Sequence, residues 1–327
     1  MLIINYEAGR FANRLFHFSH FIVNSLTHDY TLIYPYFDEF AQYFDATDTN
    51  IFPEGRISLK FSKNKLIHTF LKKTIALTAK VVFKIIGRNN FLFFHRFYGY
   101  RQQRDAYSDL NDAAFLRQAK KSLLIVEGWR YRDKKNFGPL NKNLLRKIFT
   151  PKKIFLEKVK KNLEIYFKKN FSEKNAKEKN AGNYFKKNAK DKKNILIGVH
   201  IRRTDYETFE NGKWFYSDKI YAAKMYQFQQ LFLNQPDEKN KNCTFWLCSD
   251  EPIVTENFKN FDIFFDTQPH FISDLYTLAQ CDYIIGPPST YSMWASFYGE
   301  VPLFKIFSAT ETLSLEKFEV VEPALEP

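Results

Sequence analysis

Three polar clusters each follow an apolar, strand-like run in the C-terminal half of the chain. They occupy residues 200–206, 249–252 and 286–292. The first cluster contains two adjacent arginines, Arg202 and Arg203. A planar guanidinium group matches the paired oxygens of a phosphate, so two arginines at the end of a buried strand indicate an anion-binding site.

The third cluster adds a second candidate anion site. Ser289 and Thr290 are expected to open a helix, whose first backbone N–H groups form a seat for an anion. Together with the arginine pair, this turn predicts a diphosphate site. Two simpler interpretations stay open: the arginines could merely form ion pairs with Asp205 and nearby acids, and Ser289 or Thr290 could merely cap the helix.

A regular alternation of strands and helices positions these clusters. Such alternation predicts a doubly wound parallel sheet, which binds ligands beyond the carboxyl ends of its strands. We therefore expect all three clusters along one edge of that sheet. The predicted strands are 195–201, 243–247, 261–265, 283–286 and 302–306, and the predicted helices are 215–234, 251–260, 273–280 and 292–298.

The N-terminal half begins with the same kind of unit. An apolar run at residues 2–6, a turn at Gly9 and a helical pattern around Leu15 to Ile22 predict a strand, a loop and a helix. Further strands are expected at residues 30–36 and 123–126, with an irregular region at 37–60. His17 and His20 on the first helix are expected to be packing or surface residues.

The chain of 327 residues is long enough for two domains. We divide it into an N-terminal α/β domain (1–150), a linker or insertion (151–194) and a C-terminal Rossmann-like domain (195–327). The middle segment is rich in lysine and asparagine, since residues 152–193 hold 15 lysines against five acids. Its first part, to about Phe167, could form a helix, and the rest is expected to be a solvated linker or surface insertion. No recognition fold suggests nucleic acid as a partner.

Residues 63–87 predict a long amphipathic helix in which apolar residues interleave with six lysines. Two interpretations remain open. The helix could face the core with a solvated lysine face, or it could rest on an anionic membrane surface.

The cysteine content, the N-terminal residues and the apolar runs indicate the cellular compartment. Three cysteines, without C-x-x-C spacing, indicate neither a disulfide framework nor a zinc site. The N-terminal residues do not resemble a signal peptide, and no run of 18 charge-free apolar residues occurs. We expect a cytoplasmic protein, with possible peripheral contact at the inner face of the membrane.

The absence of two common nucleotide-binding motifs limits the kind of phosphate ligand that the sequence predicts. Neither G-x-x-x-x-G-K-[ST] nor G-x-G-x-x-G is present, so a Walker-type nucleotide site is not expected. No D-x-D sequence occurs, so a metal bridging a diphosphate is not indicated. Arginine side chains would then replace the metal as the electrophilic clamp, and neither metal nor other cofactor is expected.

The segment His200-Ile201-Arg202-Arg203-Thr204-Asp205 resembles the H-x-R-R-x-D motif shared by the α1,2-, α1,6- and protein O-fucosyltransferases. The segment 274–290 resembles their downstream motif, in which a helix beginning with aspartate leads into a strand and a serine-rich turn. Residues 9–14 (GRFANR) resemble their G-R-x-G-N-Q loop. Within this group the chain is most similar to the bacterial α1,2-fucosyltransferases of glycosyltransferase family 11.

This resemblance implies a GT-B fold, with two Rossmann-like domains facing across a cleft. It implies metal-free binding of GDP-fucose to the C-terminal domain and transfer of fucose with inversion. Carried over residue by residue, Arg202 would hold the diphosphate with Arg203 supporting it, and His200 would contact the nucleotide. Asp274 would read the guanine, because a carboxylate can accept hydrogen bonds from its N1 and N2 donors.

The remaining carried-over roles concern the phosphate and the acceptor. Ser289 and Thr290 would bind the β-phosphate, while Arg10 and Asn13 would line the cleft near the fucose or the acceptor. The chain departs from the family at Ala12, where glycine is frequent, and at Arg14, where glutamine is frequent. It also has PPSTYSMW where the bacterial α1,2 group commonly has N-S-S-F-S-W-W. These departures bear on acceptor and linkage more than on donor.

The chemistry assigns two catalytic tasks. Arg202 would stabilise the charge that develops on the departing β-phosphate. A general base must take the proton of the acceptor hydroxyl, and Asp205, Glu207 and Glu210 are all candidates. Asp205 could instead orient the arginines.

The sequence thus favours an inverting GDP-fucose-dependent transferase acting on a glycan hydroxyl. Galactose O2 is the expected acceptor, in the synthesis of a surface polysaccharide or lipid-linked glycan. Two alternatives are kept: a GT-B transferase with another nucleotide-sugar donor, and a non-catalytic polyanion- or glycan-binding protein.

Overall fold

The computed structural model describes residues 1–48, 51–52, 55–86, 91–97, 106–170, 194–234 and 242–324. The chain divides into two compact units. The first comprises Met1–Lys152 together with the C-terminal residues from Glu322, and the second comprises Lys153–Val321. Of the lysine-rich segment, residues 171–193 lie outside the described residues, and Lys153–Asn170 forms a helix of the second unit.

The first unit is built on a mostly parallel sheet with the strand order β3-β4-β2-β1-β7-β5. Only β3 runs antiparallel to its neighbour among these described strands. A short parallel pair, β6 and β8, lies apart from it. The strands are β1 (Leu2–Ile4), β2 (Leu32–Ile33), β3 (Ile51–Phe52), β4 (Ile57–Ser58), β5 (Leu92–Phe97), β6 (Ser108–Asp109), β7 (Leu123–Gly128) and β8 (Tyr131–Arg132).

An aromatic core fills the space between this sheet and its helices. The 18-residue helix α1 buries Phe16, Phe18 and Phe21 completely, and His17 and His20 lie among them as packing residues. The predicted second strand is shorter than expected, because Pro35 begins a 3-10 helix over Pro35–Phe37. The helices are α1 (Phe11–His28), α2 (Asp38–Ala41), α3 (Asp45–Asp48), α4 (Lys65–Ile86), α5 (Ala113–Lys121) and α6 (Pro139–Ile148).

The second unit is a doubly wound parallel sheet, as the sequence predicts. Its strand order is β11-β10-β9-β12-β13, and every described pair is parallel. The strands are β9 (Asn194–Ile201), β10 (Asn242–Ser249), β11 (Asp262–Phe264), β12 (Tyr283–Gly286) and β13 (Leu303–Lys305), and the helices are α7 (Lys153–Asn170), α8 (Asp218–Leu233), α9 (Phe271–Leu278) and α10 (Thr290–Gly299).

One predicted helix of this unit is wrong. Residues 251–260 contain only a short 3-10 helix, Thr255–Phe258. Pro252 accounts for the start of the difference, since proline disfavours the helical conformation of the residue before it, Glu251. The segment that the sequence assigned to a helix therefore begins as a loop after β10.

Glycine at one position of β9 allows close packing of the sheet. A Cβ atom on Gly198 would lie 2.6 Å from Leu278 Cδ2 and 3.0 Å from Cys281 Sγ. The region around the end of α9 therefore rests directly on the central strand. This close contact fixes α9 relative to the strand end that carries His200 and Arg202.

Among the helices that the structure describes, none combines the length and the apolar character needed to cross a bilayer.

Candidate functional site

The three polar clusters meet at one edge of the second unit's sheet. Strand β9 lies between β10 and β12, and all three run parallel. Ile201 pairs with Ser249, while Ile285 of β12 pairs with Val199 of β9. The carboxyl ends of the three strands therefore coincide, as the sequence predicts, and the polar residues that follow them become neighbours.

A cavity of about 630 Å³ opens at this edge. Its size lies in the range of small-molecule sites. Part of its wall is apolar, formed by Pro252, Ile253, Phe265, Pro269 and Phe271. The lining residues are His200, Arg202, Leu247, Cys248, Ser249, Asp250, Glu251, Pro252, Ile253, Phe265, Asp266, Thr267, Pro269, Phe271, Asp274 and Tyr291.

Arg202 faces this cavity while paired with two carboxylates. Its Nη1 donates to Asp250 Oδ2 at 2.6 Å, and its Nη2 lies 2.5 Å from Asp205 Oδ1. Its Nε is buried and has no hydrogen-bond partner. The simpler interpretation of ion pairing thus describes two of the guanidinium nitrogens, while the third is a donor with no acceptor.

Arg203 is held elsewhere. Its guanidinium pairs with Asp218 at the start of α8 and donates to the carbonyl oxygen of Tyr216. It does not belong to the cavity wall formed by the described residues. The expected pair of guanidinium groups on one diphosphate is therefore not assembled here, because Arg203 pairs with Asp218 while Arg202 pairs with Asp205 and Asp250.

Asp250 organises the strand ends. One carboxylate oxygen accepts from Arg202 and from Thr204 Oγ1, the latter at 2.6 Å, while the other accepts from the backbone N–H of Arg203 at 2.8 Å. The sequence showed Asp250 only as a polar residue after a strand. Its role depends on the adjacency of β9 and β10, which the sequence does not reveal.

Asp274 presents a buried carboxylate to the cavity. The residue is 5% exposed, and its Oδ1 has no hydrogen-bond partner. Burial, reinforced by the charge of Asp266, raises the pKa of Asp274 to about 7. An unpartnered buried acceptor costs free energy, so this atom indicates a site for a ligand that donates hydrogen bonds.

Helix α7 reaches this part of the wall. Lys158 Nζ lies 3.0 Å from Asp266 Oδ2, and Asn162 donates to Thr277 Oγ1 of α9 at 3.3 Å. The charge of Lys158 opposes the rise in the pKa of Asp274. The sequence predicts at most a helix here, at the start of a linker or insertion, and only the long-range contacts of Lys158 and Asn162 reveal that they support the site.

His200 lies against Tyr291 at the back of the cavity, with ring centroids 5.0 Å apart. Burial and the charge of Arg202 lower the pKa of His200 to about 3, so the ring is neutral at physiological pH. Its Nδ1 has no hydrogen-bond partner. Gly286 permits this position, because a Cβ there would lie 3.1 Å from His200 Cβ.

The Ser289–Thr290 turn caps a helix. Ser289 Oγ accepts from the backbone N–H of Tyr291 at 3.3 Å, and Thr290 is the first residue of α10. Neither side chain belongs to the cavity wall among the described residues, whereas Tyr291 does. The capping role of Ser289 is thus observed, and phosphate binding by this turn stays a prediction.

The candidate bases lie on the loop after β9. Asp205 is occupied with Arg202, whereas Glu207 and Glu210 are solvent-exposed. Glu210 has a φ of 48°, in the left-handed region that non-glycine residues rarely adopt. Aromatic rings of the same loop stack beside them, since Phe209 lies 5.6 Å from Tyr206 between ring centroids.

Arg10 and Asn13 lie in the first unit, at the beginning of α1. Arg10 is its exposed N-cap residue, and Gly9 before it has a φ of 58°. Arg14 is buried, donating to the carbonyl oxygen of Gly9 at 3.0 Å and pairing with Glu7 at 2.6 Å. Arg14 thus holds the loop, and a role of Arg10 and Asn13 toward an acceptor stays a prediction.

No group of His, Cys, Asp and Glu side chains in the described parts of the chain is placed to hold a metal ion.

Comparisons with known proteins give a likeness of fold. No family model and no curated protein matches the sequence. A solved structure of a mutant of FUT1 from Arabidopsis thaliana in complex with GDP matches 100% of this chain and 74% of its own, at 11% identity and a TM-score of 0.55.

Two further solved structures match at TM-scores below 0.5. Fucosyltransferase NodZ from Bradyrhizobium matches 93% of this chain and 94% of its own, at 13% identity and a TM-score of 0.49. POFUT1 in complex with GDP-fucose matches 92% of this chain and 94% of its own, at 11% identity and a TM-score of 0.47.

The fold class follows from the two sheets and the FUT1 likeness. Each unit carries a mostly or wholly parallel sheet flanked by helices, which is a Rossmann-like arrangement. The chain has an α/β fold of the GT-B class, and this prediction from the sequence is confirmed. Its structural neighbours are fucosyltransferases.

Proposed function

We propose that the protein transfers L-fucose from GDP-fucose, with inversion, to a hydroxyl group of a glycan. The observation that carries this proposal is the set of unpartnered buried atoms in one cavity. These are Asp274 Oδ1, Arg202 Nε and His200 Nδ1. A buried acceptor and a buried donor in one wall call for a ligand that has both donors and acceptors.

GDP has the complementary groups. The N1 and N2 donors of guanine would satisfy Asp274, and the apolar wall around Phe271 would cover the flat base. A phosphate oxygen would accept from Arg202 Nε and, by displacing Asp205, from its Nη2. Arg202 would then stabilise the negative charge that grows on the β-phosphate as the sugar leaves.

The acceptor side rests on the resemblance of residues 9–14 and 200–205 to the α1,2-, α1,6- and protein O-fucosyltransferases, among which the bacterial α1,2 group is the most similar to this chain. We propose galactose O2 of a surface polysaccharide or lipid-linked glycan as the acceptor, with Arg10 and Asn13 near the transferred sugar. We propose a carboxylate of the loop after β9, Asp205 or Glu210, as the base, since donor binding would release Asp205 from Arg202 and Glu210 is solvent-exposed. The three cysteines are present as thiols, which supports the proposal of a cytoplasmic enzyme.

A thermal-shift panel tests the donor. GDP and GDP-fucose should raise the melting temperature by several degrees, because a ligand at about 100 times its Kd stabilises by about 2.7 kcal/mol. UDP and UDP-sugars at equal concentration should have little effect. Equal stabilisation by UDP-sugars would instead support a transferase with another donor.

An Asp274→Asn variant sharpens this test. Its amide would present N–H donors to the guanine donors, so GDP affinity should fall at least tenfold while UDP binding stays weak. Transfer itself is tested with GDP-fucose and galactose-terminated oligosaccharides, with the linkage read by NMR of the product. Donor binding without transfer to any glycan would favour the non-catalytic alternative.

A further inference from the structure

Helix α4 presents an apolar stripe to solvent. Four of its large apolar side chains are mostly exposed: Leu66 by 81%, Phe70 by 65%, Leu77 by 67% and Ile85 by 77%. At about 100° per residue, these four positions and Val81 fall within about 100° of the helix circumference. The stripe is therefore continuous along the helix and is not a scatter of single residues.

The opposite side of α4 attaches the helix to its unit. His68 is buried and lies 3.0 Å from Asp38 Oδ2, and Lys72 Nζ lies 3.2 Å from the other oxygen of the same carboxylate. Ala79 packs against the sheet with Ile3 and Ile125. Burial of the inner side thus leaves the outer apolar stripe without a partner among the described residues.

The charged residues nearest to this stripe in the sequence are of one sign. Residues 56–104 contain twelve lysines and arginines and no aspartate or glutamate. Within α4, Lys73 and Lys84 lie at one edge of the stripe by helical position, and both are exposed. Lys80 lies beside them and is 3.4 Å from Glu127 Oε1. A basic border beside an apolar stripe is complementary to an anionic lipid surface, which offers an apolar interior beneath negative headgroups.

We propose that α4 docks the protein on an anionic membrane, with the stripe inserted at the interface and its lysines against the headgroups. Docking of a second copy of the chain on the stripe is less favoured, because pairing two copies of α4 would bring their lysines together. The proposal concerns the first unit alone and does not depend on the donor. Vesicle binding in the absence of nucleotide sugar therefore tests it separately from transferase activity.

Co-sedimentation of the full chain with vesicles provides the test. Binding to vesicles with roughly 30% phosphatidylglycerol should exceed binding to pure phosphatidylcholine at least tenfold, and high salt should weaken it. The double variant Phe70→Ser/Leu77→Ser should lose at least tenfold in partitioning. The double variant Lys73→Glu/Lys84→Glu should lose a similar factor, and its residual binding should depend less on salt.

Matched controls lie on other helices. Leu140→Ser/Ile154→Ser removes two side chains that are as exposed as those of the stripe, and Lys120→Glu/Lys121→Glu repeats the charge change on α5. Neither control should reduce partitioning more than twofold. All four altered positions of the test variants are exposed, so circular dichroism should show an unchanged fold.

Three results would overturn the proposal. The first is equal binding to neutral and anionic vesicles, or no binding to either. The second is an equal loss in the control variants. The third is a dimer in sedimentation velocity that Phe70→Ser/Leu77→Ser dissociates, which would assign the stripe to a second copy.

Discussion

Asp250 and Arg202 form the ion pair that joins β9 to β10 at the cavity, with 2.6 Å between Oδ2 and Nη1. The same carboxylate accepts a hydrogen bond from the backbone N–H of Arg203. Asp250 therefore holds the backbone after β9 as well as the guanidinium group of Arg202. Arg202 is therefore already oriented before any ligand arrives. A preoriented cation avoids part of the ordering cost of binding.

The two adjacent arginines should behave differently when removed. Arg202→Ala should weaken GDP binding by about 10- to 100-fold, the usual worth of a hydrogen bond to a charged group, and should abolish transfer. Arg203→Ala should leave GDP affinity within about threefold and lower the melting temperature instead, since its partners are Asp218 and Tyr216. Calorimetry of GDP binding and a melting curve separate these outcomes. Equal losses of GDP affinity would place both arginines on the ligand.

GDP affinity should depend on the ionisation of Asp274. Its pKa of about 7 means that the carboxylate becomes protonated as the pH falls through neutrality, and a protonated group accepts poorly from guanine. Affinity should fall by nearly tenfold per pH unit below 7 and reach a plateau above 8. Asp274→Asn should remove this dependence. Lys158→Met should move the midpoint upward, because the lysine charge lowers the pKa of Asp274. A flat profile in the unaltered protein would contradict this account.

Asp274 should also cost stability. Its folded-state pKa lies above the ordinary value of 3.8, so folding disfavours the charged form and stability is lost as the pH rises above that value, until the cost levels off above 7. Asp274→Asn should therefore raise the melting temperature at pH 8 by several degrees, and this gain should shrink toward pH 5. Melting curves without nucleotide across this range provide the measurement. A variant that melts lower at pH 8 would show that the carboxylate stabilises the fold.

Close approach at Gly286 should be essential to the site. Gly286→Ala would place a Cβ 3.1 Å from His200 Cβ and 3.2 Å from its carbonyl oxygen, so His200 or its strand must move by a few tenths of an ångström. We expect a loss of about 1–3 kcal/mol in the free energy of unfolding, and weaker GDP binding because Arg202 moves with its strand. Gly138→Ala is the matched control, since nothing lies within 4 Å of its added Cβ. Urea denaturation of both variants distinguishes the effect of the close contact with His200 from a general effect of replacing glycine.

Transfer should not require a divalent cation, because the proposed clamp on the leaving diphosphate is Arg202. Activity should persist in excess EDTA and should not rise when magnesium or manganese is added. The rate of GDP release with and without chelator provides the measurement. Reversible loss of activity in EDTA would show that a cation shares the work assigned to Arg202.

The sequence by itself determined the α/β organisation and the edge of the sheet where the site would form. Apolar runs such as β9 and the turns after them are local patterns, and parallel strands bring their ends together. His200 and Arg202 could be predicted to lie there because they end or follow such a run, whereas Asp274 could be predicted only from the resemblance of the segment 274–290 to the downstream motif of the fucosyltransferases. Local patterns also predicted α4, although not which side of it would be covered.

Only the tertiary structure decided the partners of these residues. Arg203 and Arg202 are neighbours in the sequence, yet one pairs with Asp218 at the start of α8 and the other lines the cavity beside Asp250. Lys158 acts on a carboxylate more than one hundred positions away, through the packing of α7 against α9. Such contacts depend on how whole elements pack, and packing depends on shape and burial across the unit and not on any local pattern.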